Sequence, residues 1–87
     1  MPEDRVKIGH IIGREVISEE TGRRFGVVSN IEFVAESGEL LNMIISNPTK
    51  YLKELNPKID DRGRVLIPFT AVKSIGDFVI ISESELV

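Results

Sequence analysis

Residues 25–33 read Phe25-Gly26-Val27-Val28-Ser29-Asn30-Ile31-Glu32-Phe33, and this stretch decides the fold class. Phe25, Val27, Ile31 and Phe33 recur at a period of two, with Ser29 the only break, while Gly26, Asn30 and Glu32 fall on the opposite side. Period two is the signature of a strand with one buried face. Ala35-Glu36-Ser37-Gly38-Glu39 follows as a turn, and Leu40 to Ile45 returns as a second strand, so residues 24–45 read as a β-hairpin with a loop longer than two residues. In the returning strand Leu41, Met43 and Ile45 form one side and Leu40, Asn42 and Ile44 the other. Both sides are mostly apolar, as in a strand that packs against something on each face.

Working outward, residues 1–13 form a short lead-in, expected to pair at an edge. Arg14-Glu15-Val16-Ile17 is a strand, closed by the turn Ser18-Glu19-Glu20-Thr21-Gly22. Asn47-Pro48 predicts a helix start, since Asn caps and Pro suits the first helical position. Tyr51, Leu52 and Leu55 share one side of that helix, and Asn56-Pro57 stops it. Two turns do not stand alone in water, so the helix must lie on the sheet. Asp60-Asp61-Arg62-Gly63 is a turn and Val65-Leu66-Ile67 a strand ended by Pro68. Ala71–Ile75 and Phe78–Ile81 flank Gly76-Asp77, a two-residue hairpin loop in which Gly would supply a positive φ. The expected fold is therefore all-β in the main: a small barrel of five to six short strands with one short helix around residues 48–55.

The chain has 87 residues, of which 41% are apolar and 29% charged, as befits a single globular domain. Its core lies at about residues 8–83, between a short lead-in and an acidic, then apolar, tail. A domain of this size buries only about 60–65% of its unfolded surface, so a second copy or a partner adds useful stability. The net charge of −3 disfavours nonspecific nucleic-acid binding. The absence of cysteine removes disulfides, thiolate metal sites and a thiol nucleophile. No apolar run approaches the ~20 residues that span a bilayer, and Met1-Pro2-Glu3-Asp4-Arg5 is charged, so neither membrane insertion nor secretion is expected and the location is cytoplasmic.

Two stretches resemble a known family. One runs from Gly13-Arg14-Glu15-Val16 through Thr21-Gly22-Arg23-Arg24-Phe25-Gly26-Val27-Val28 to the turn Gly38-Glu39-Leu40; the other is Leu66-Ile67-Pro68-Phe69-Thr70-Ala71-Val72-Lys73-Ser74-Ile75-Gly76-Asp77 leading into an apolar strand. Together they resemble the PRC-barrel domain over roughly residues 8–83. The resemblance implies one of three contexts: the cytoplasmic part of a photosynthetic reaction-centre subunit, the C-terminal half of the ribosome maturation factor RimM, or a stand-alone archaeal adaptor of the division ring that dimerises and binds a SepF-type membrane anchor. The chain shows neither the transmembrane segment of the first nor the N-terminal domain of the second, and looks most like the third. Residues 48–63, with their short helix, depart from the minimal barrel.

No catalytic, cofactor or metal residues are expected. His10, the one histidine, has no nucleophile or orienting carboxylate beside it in sequence. Glu19-Glu20 and Asp60-Asp61 fall in turns, where solvated acids stay ionised. Gly9 and Gly13 do not make a dinucleotide fingerprint, and there is no phosphate-binding GxxxxGK[ST] loop. The strands that are apolar on two faces carry the expectation of an interface, a homodimer or a heterodimer with a related barrel, through Leu40, Asn42, Ile44, Phe78 and Ile80. Leu86 and Val87 are expected to fray, or else to dock on a partner's sheet edge. The expected function is thus a non-enzymatic adaptor with a protein partner, by resemblance the SepF-like anchor. The alternative is a ribosome-assembly or RNA-associated module using Lys50, Lys53, Lys58, Arg62 and Arg64, although Glu54, Asp60 and Asp61 dilute that cluster.

Overall fold

The structure is a computed structural model and describes residues 8–86. In chain order it comprises α1 (Ile8–Ile11), β1 (Glu15–Ser18), β2 (Arg24–Phe33), β3 (Leu40–Ser46), α2 (Lys50–Lys53), β4 (Lys58–Ile59), β5 (Val65–Pro68), β6 (Val72–Ile75) and β7 (Phe78–Ile81), with single 3₁₀ turns at Phe69–Ala71 and Glu83–Glu85. All seven strands lie in one sheet, ordered β4-β5-β3-β2-β1-β7-β6. Every pairing is antiparallel except β1 with β7.

The connection from β5 to β6 requires the sheet to curl. The two strands stand five places apart in the sheet order, which is about 24 Å if the sheet were flat. Only Phe69–Ala71 link them, and four residue steps reach at most about 14 Å. The sheet therefore wraps into a small barrel-like form; the Ser82 amide donates to the Ala71 carbonyl at 2.9 Å, one rung beyond the β6–β7 ladder. The rows Ile31–Met43–Ile67, Val28–Ile45–Val65 and Val16–Val79 face inward. Phe25, Ile81, Ala71, Ile11 from α1 and Leu52 from α2 complete the core.

The mostly-β barrel matches the sequence reading, with differences of physical origin. Seven strands form rather than five or six, because Lys58–Ile59 adds a two-residue strand beside β5. Part of the lead-in, Ile8–Ile11, is a helical turn that buries Ile11 rather than an edge pairing. α2 begins at Lys50, not at Pro48: Asn47 adopts a left-handed φ of 51°, and the Thr49 hydroxyl donates to the Arg24 carbonyl at 2.6 Å instead of capping its own helix. Gly76 does not take a positive φ; the β6–β7 turn closes through its amide on the Phe78 carbonyl at 2.9 Å.

The largest difference lies in β2. Its pairing with β1 skips Phe25, and its pairing with β3 skips Ser29. Each bulge inserts one residue and shifts the phase of the strand. Phe25, Val28 and Ile31 become the buried set, Val27 is half-buried, and Phe33 is 52% exposed. Because β5 ends at Pro68, opposite Asn42, the hairpin tip with Phe33, Leu40 and Leu41 extends past it.

Candidate interaction surface

The outer face of β2, β1 and β7 carries two registered rows. Val27, Glu15 and Phe78 form one; Arg24, Ile17, Ile80 and Ser74, the last from β6, form the other. Ile17, Val27 and Ile80 are half-buried, and Phe78 is 44% exposed. Arg24 pairs with Glu15 across the rows. This part of the barrel thus presents apolar side chains to its surroundings, Phe78 foremost.

The predicted interface residues do not come together. Phe78 and Ile80 share the face just described. Leu40, Asn42 and Ile44 lie on β3, three strands away around the curve. Ile44 is 5% exposed and is not an accessible contact. It pairs with Leu66 on the outer face, and a polar strap crosses β3 on that same face. Arg64 holds Asp60 at 2.7 Å and reaches Glu32 of β2 at 4.0 Å; Asn42 donates to Glu32 at 3.1 Å. The strap lies on the same face as Ile44 and Leu66, both of which are buried within the chain. Leu40 stays partly exposed at the hairpin tip. Leu86 is half-buried against the core; Val87 lies outside the described residues.

The predicted basic residues fall in different settings. Arg64 is held in the strap. Lys58 and Arg62 are exposed on the β4–β5 hairpin. Lys53 lines an open groove with Ile59, Gly63 and Val65. Lys50 instead lies over the Tyr51 ring, its ammonium 5.4 Å from the centroid, together with Arg23 at 4.5 Å. His10 is exposed at the end of α1, and its carbonyl accepts from Arg14 Nε at 2.8 Å.

Two acids are held in well-built turns. Glu20 accepts from the Glu83 amide and the Ser82 hydroxyl, both at 2.8 Å. Those two bonds, the backbone one first, pull its carboxyl from about 4.5 down to about 2. Glu83 accepts in turn from the Ser18 and Thr21 hydroxyls. This clasp joins the β1–β2 turn to the C-terminal 3₁₀ turn, and it satisfies the buried Ser18 and Ser82 hydroxyls. Burial alone would raise the Asp60 carboxyl. The Arg64 amide, the Arg64 guanidinium and the Arg62 amide outweigh it and hold that carboxyl below its usual range. Both acids therefore remain charged at neutral pH and serve the architecture of their turns.

Sequence reading missed Ile17 and Val27 as members of the outer face and Arg23 as a neighbour of Tyr51. The alternation in β1 does mark Ile17, opposite in phase to Val16. Val27 is hidden by the bulges, and Arg23 is 28 positions from Tyr51, beyond any local spacing rule.

A single curled sheet with a filled interior and side chains presented outward defines a small β-barrel domain. The chain belongs to the PRC-barrel domain family, whose pattern matches residues 3–87, a module of the protein-interaction type. No curated protein matches the chain. No helix among the described residues is long and apolar enough to cross a membrane.

Proposed function

We propose that this PRC-barrel chain is a non-enzymatic adaptor that pairs with a second barrel, its own or a related one, and joins it to another protein. The observation that carries the reading is the apolar outer face of β1 and β7, with Phe78 at 44% exposure beside Ile80 and Ile17. Apolar side chains gathered on one sheet face of a small domain are used most often for association, and a two-fold pair is the commonest form. Two copies then present two docking sites, and linked sites gain avidity without new contacts. By the resemblance to stand-alone archaeal members, the second protein is a SepF-type division anchor, which would recruit the cytoplasmic adaptor to the division site.

The test is capture of a purified SepF-like anchor by the immobilised chain, with the folded state checked by circular dichroism. Retention of the anchor by the native chain, and its loss with Phe78→Glu, supports the reading. Failure of the folded native chain to retain the anchor well above micromolar concentration, roughly the affinity range of a transient interface, overturns that partner.

A further inference from the structure

The β2–β3 hairpin ends in a bare apolar tip. Phe33, Leu40 and Leu41 are all exposed, and they stand beyond the end of β5. Glu36 and Glu39 are exposed in the turn between the strands. Residues 25–49 carry three carboxylates, Glu32, Glu36 and Glu39, and no cation. The tip is therefore an apolar wedge with a negative rim.

A groove of about 550 Å³ opens at the other end of the same strands. Pro48 follows the end of β3, and Val65 is registered with Ile45. With Pro57 and the exposed Ile59 they give the groove its apolar walls. Among the described residues its lining holds one charged side chain, Lys53, and no carboxylate. Lys58 and Arg62 are exposed on the β4–β5 hairpin, which forms one wall. Asp60 of that hairpin is taken up by Arg64. Glu54 and Asp61 temper the positive charge of this end without cancelling it.

The wedge does not reach the groove of its own chain. β3 runs between them, and its seven residues span about 20 Å. Two tips repel each other through their carboxylates, and two grooves through their cations. The complementary pairing is tip to groove, between two copies.

We propose that the groove receives the β2–β3 tip of a second copy, so that barrels join head to tail. Leu40 and Leu41 enter between the prolines and Ile59, and Glu36 and Glu39 lie toward Lys53, Lys58 and Arg62. A contact with two different halves is heterologous, and halves at opposite ends of a molecule repeat into an open row. A two-stranded tip in one groove is a small contact, below the ~1,200 Å² of a standard interface, so alone it is transient in dilute solution. It gains weight where barrels are held close together, as on a shared partner. It uses neither β1 nor β7, so it stands apart from the pairing proposed above.

The chain has no cysteine, so a single introduced one gives a defined cross-link, and trapping detects a transient contact. The test uses the full chain carrying Phe78→Glu, which takes pairing through β7 out of play. Ser37→Cys at the tip and Ile59→Cys at the groove, one of them tagged, are mixed and oxidised. The expected result is a tip-to-groove dimer that forms several-fold faster than either dimer of one variant alone. Glu36→Lys with Glu39→Lys on the tip partner should slow it about tenfold, the sum of two exposed charge pairs, and raised salt should slow it likewise. Lys53→Glu with Lys58→Glu on the groove partner should then restore the rate. If Ile59→Cys melts early, Arg62→Cys, on an exposed side chain, takes its place. Tip-to-tip cross-linking as fast as tip-to-groove, a rate indifferent to the charge reversals, or a rate no higher than in urea would overturn the proposal. Any of these would leave the pairing through β7 untouched. Tip-to-groove trapping in a chain whose unaltered form shows no pairing through β7 would support this contact and count against that one.

Discussion

A Cβ at position 26 would come within 2.5 Å of Ile45 Cγ2 and 2.9 Å of the Ser46 carbonyl oxygen, and the φ of 144° is one that side-chain-bearing residues rarely adopt. The bare glycine lets β3 approach where β2 bulges and Phe25 turns into the core. Gly26→Ala should therefore destabilise the domain by roughly 2–4 kcal/mol, from backbone strain and overpacking together, as read from a urea titration. Glu20 makes a prediction in pH. Its folded-state carboxyl lies at about 2 against an ordinary 4.5. A depressed carboxyl contributes stability that is present above the ordinary value and is lost as pH falls through the window toward the folded one. The denaturation midpoint should accordingly drop as pH goes from about 4.5 to about 2, and Glu20→Gln should flatten that part of the profile. An unchanged slope in the variant would mean that the clasp to Ser82 and Glu83 does not hold in solution.

At the scale of elements, the strap over β3 is the least expected feature. Arg64 joins Asp60 in the β4–β5 turn to Glu32 on β2, and its aliphatic stem is available to shield Ile44 and Leu66. Arg64→Ala should cost about 1–2 kcal/mol, and Arg64→Met, which keeps most of the stem, should cost less. Equal losses would assign the effect to the ion pairs instead. The hairpins, the turns and the short helix were legible in the sequence because each rests on local chemistry: Gly22, Gly38 and Gly63 turn the chain, and Asn56-Pro57 stops α2. What was not legible depends on contacts between distant segments. The bulges at Phe25 and Ser29 turn Val27 outward and bring Val28 into the core, while Phe33 is exposed because the hairpin tip runs past the end of β5. The apolar double face of β3 looks like an interface until Arg64, some 20 positions on from Ile44, is seen to reach across it. β4 is too short to show any periodicity.

For the whole molecule, the three-residue link from β5 to β6 forces a curl, and the curl sorts the apolar strands into those covered by the chain and those left outward. A Cα radius of gyration of 12.4 Å is that expected of a single domain of this length. The outward set on β1 and β7 is what makes association the central claim, and mass in solution tests it most directly. Light scattering over a concentration series should give twice the monomer mass for the native chain, or for a mixture with its related barrel. A further gain should follow on adding the SepF-like anchor. Phe78→Glu should remain monomeric with its thermal midpoint nearly unchanged, since Phe78 lies outside the buried core. A native chain that stays monomeric at every concentration, alone, with a related barrel and with the anchor, would contradict the account.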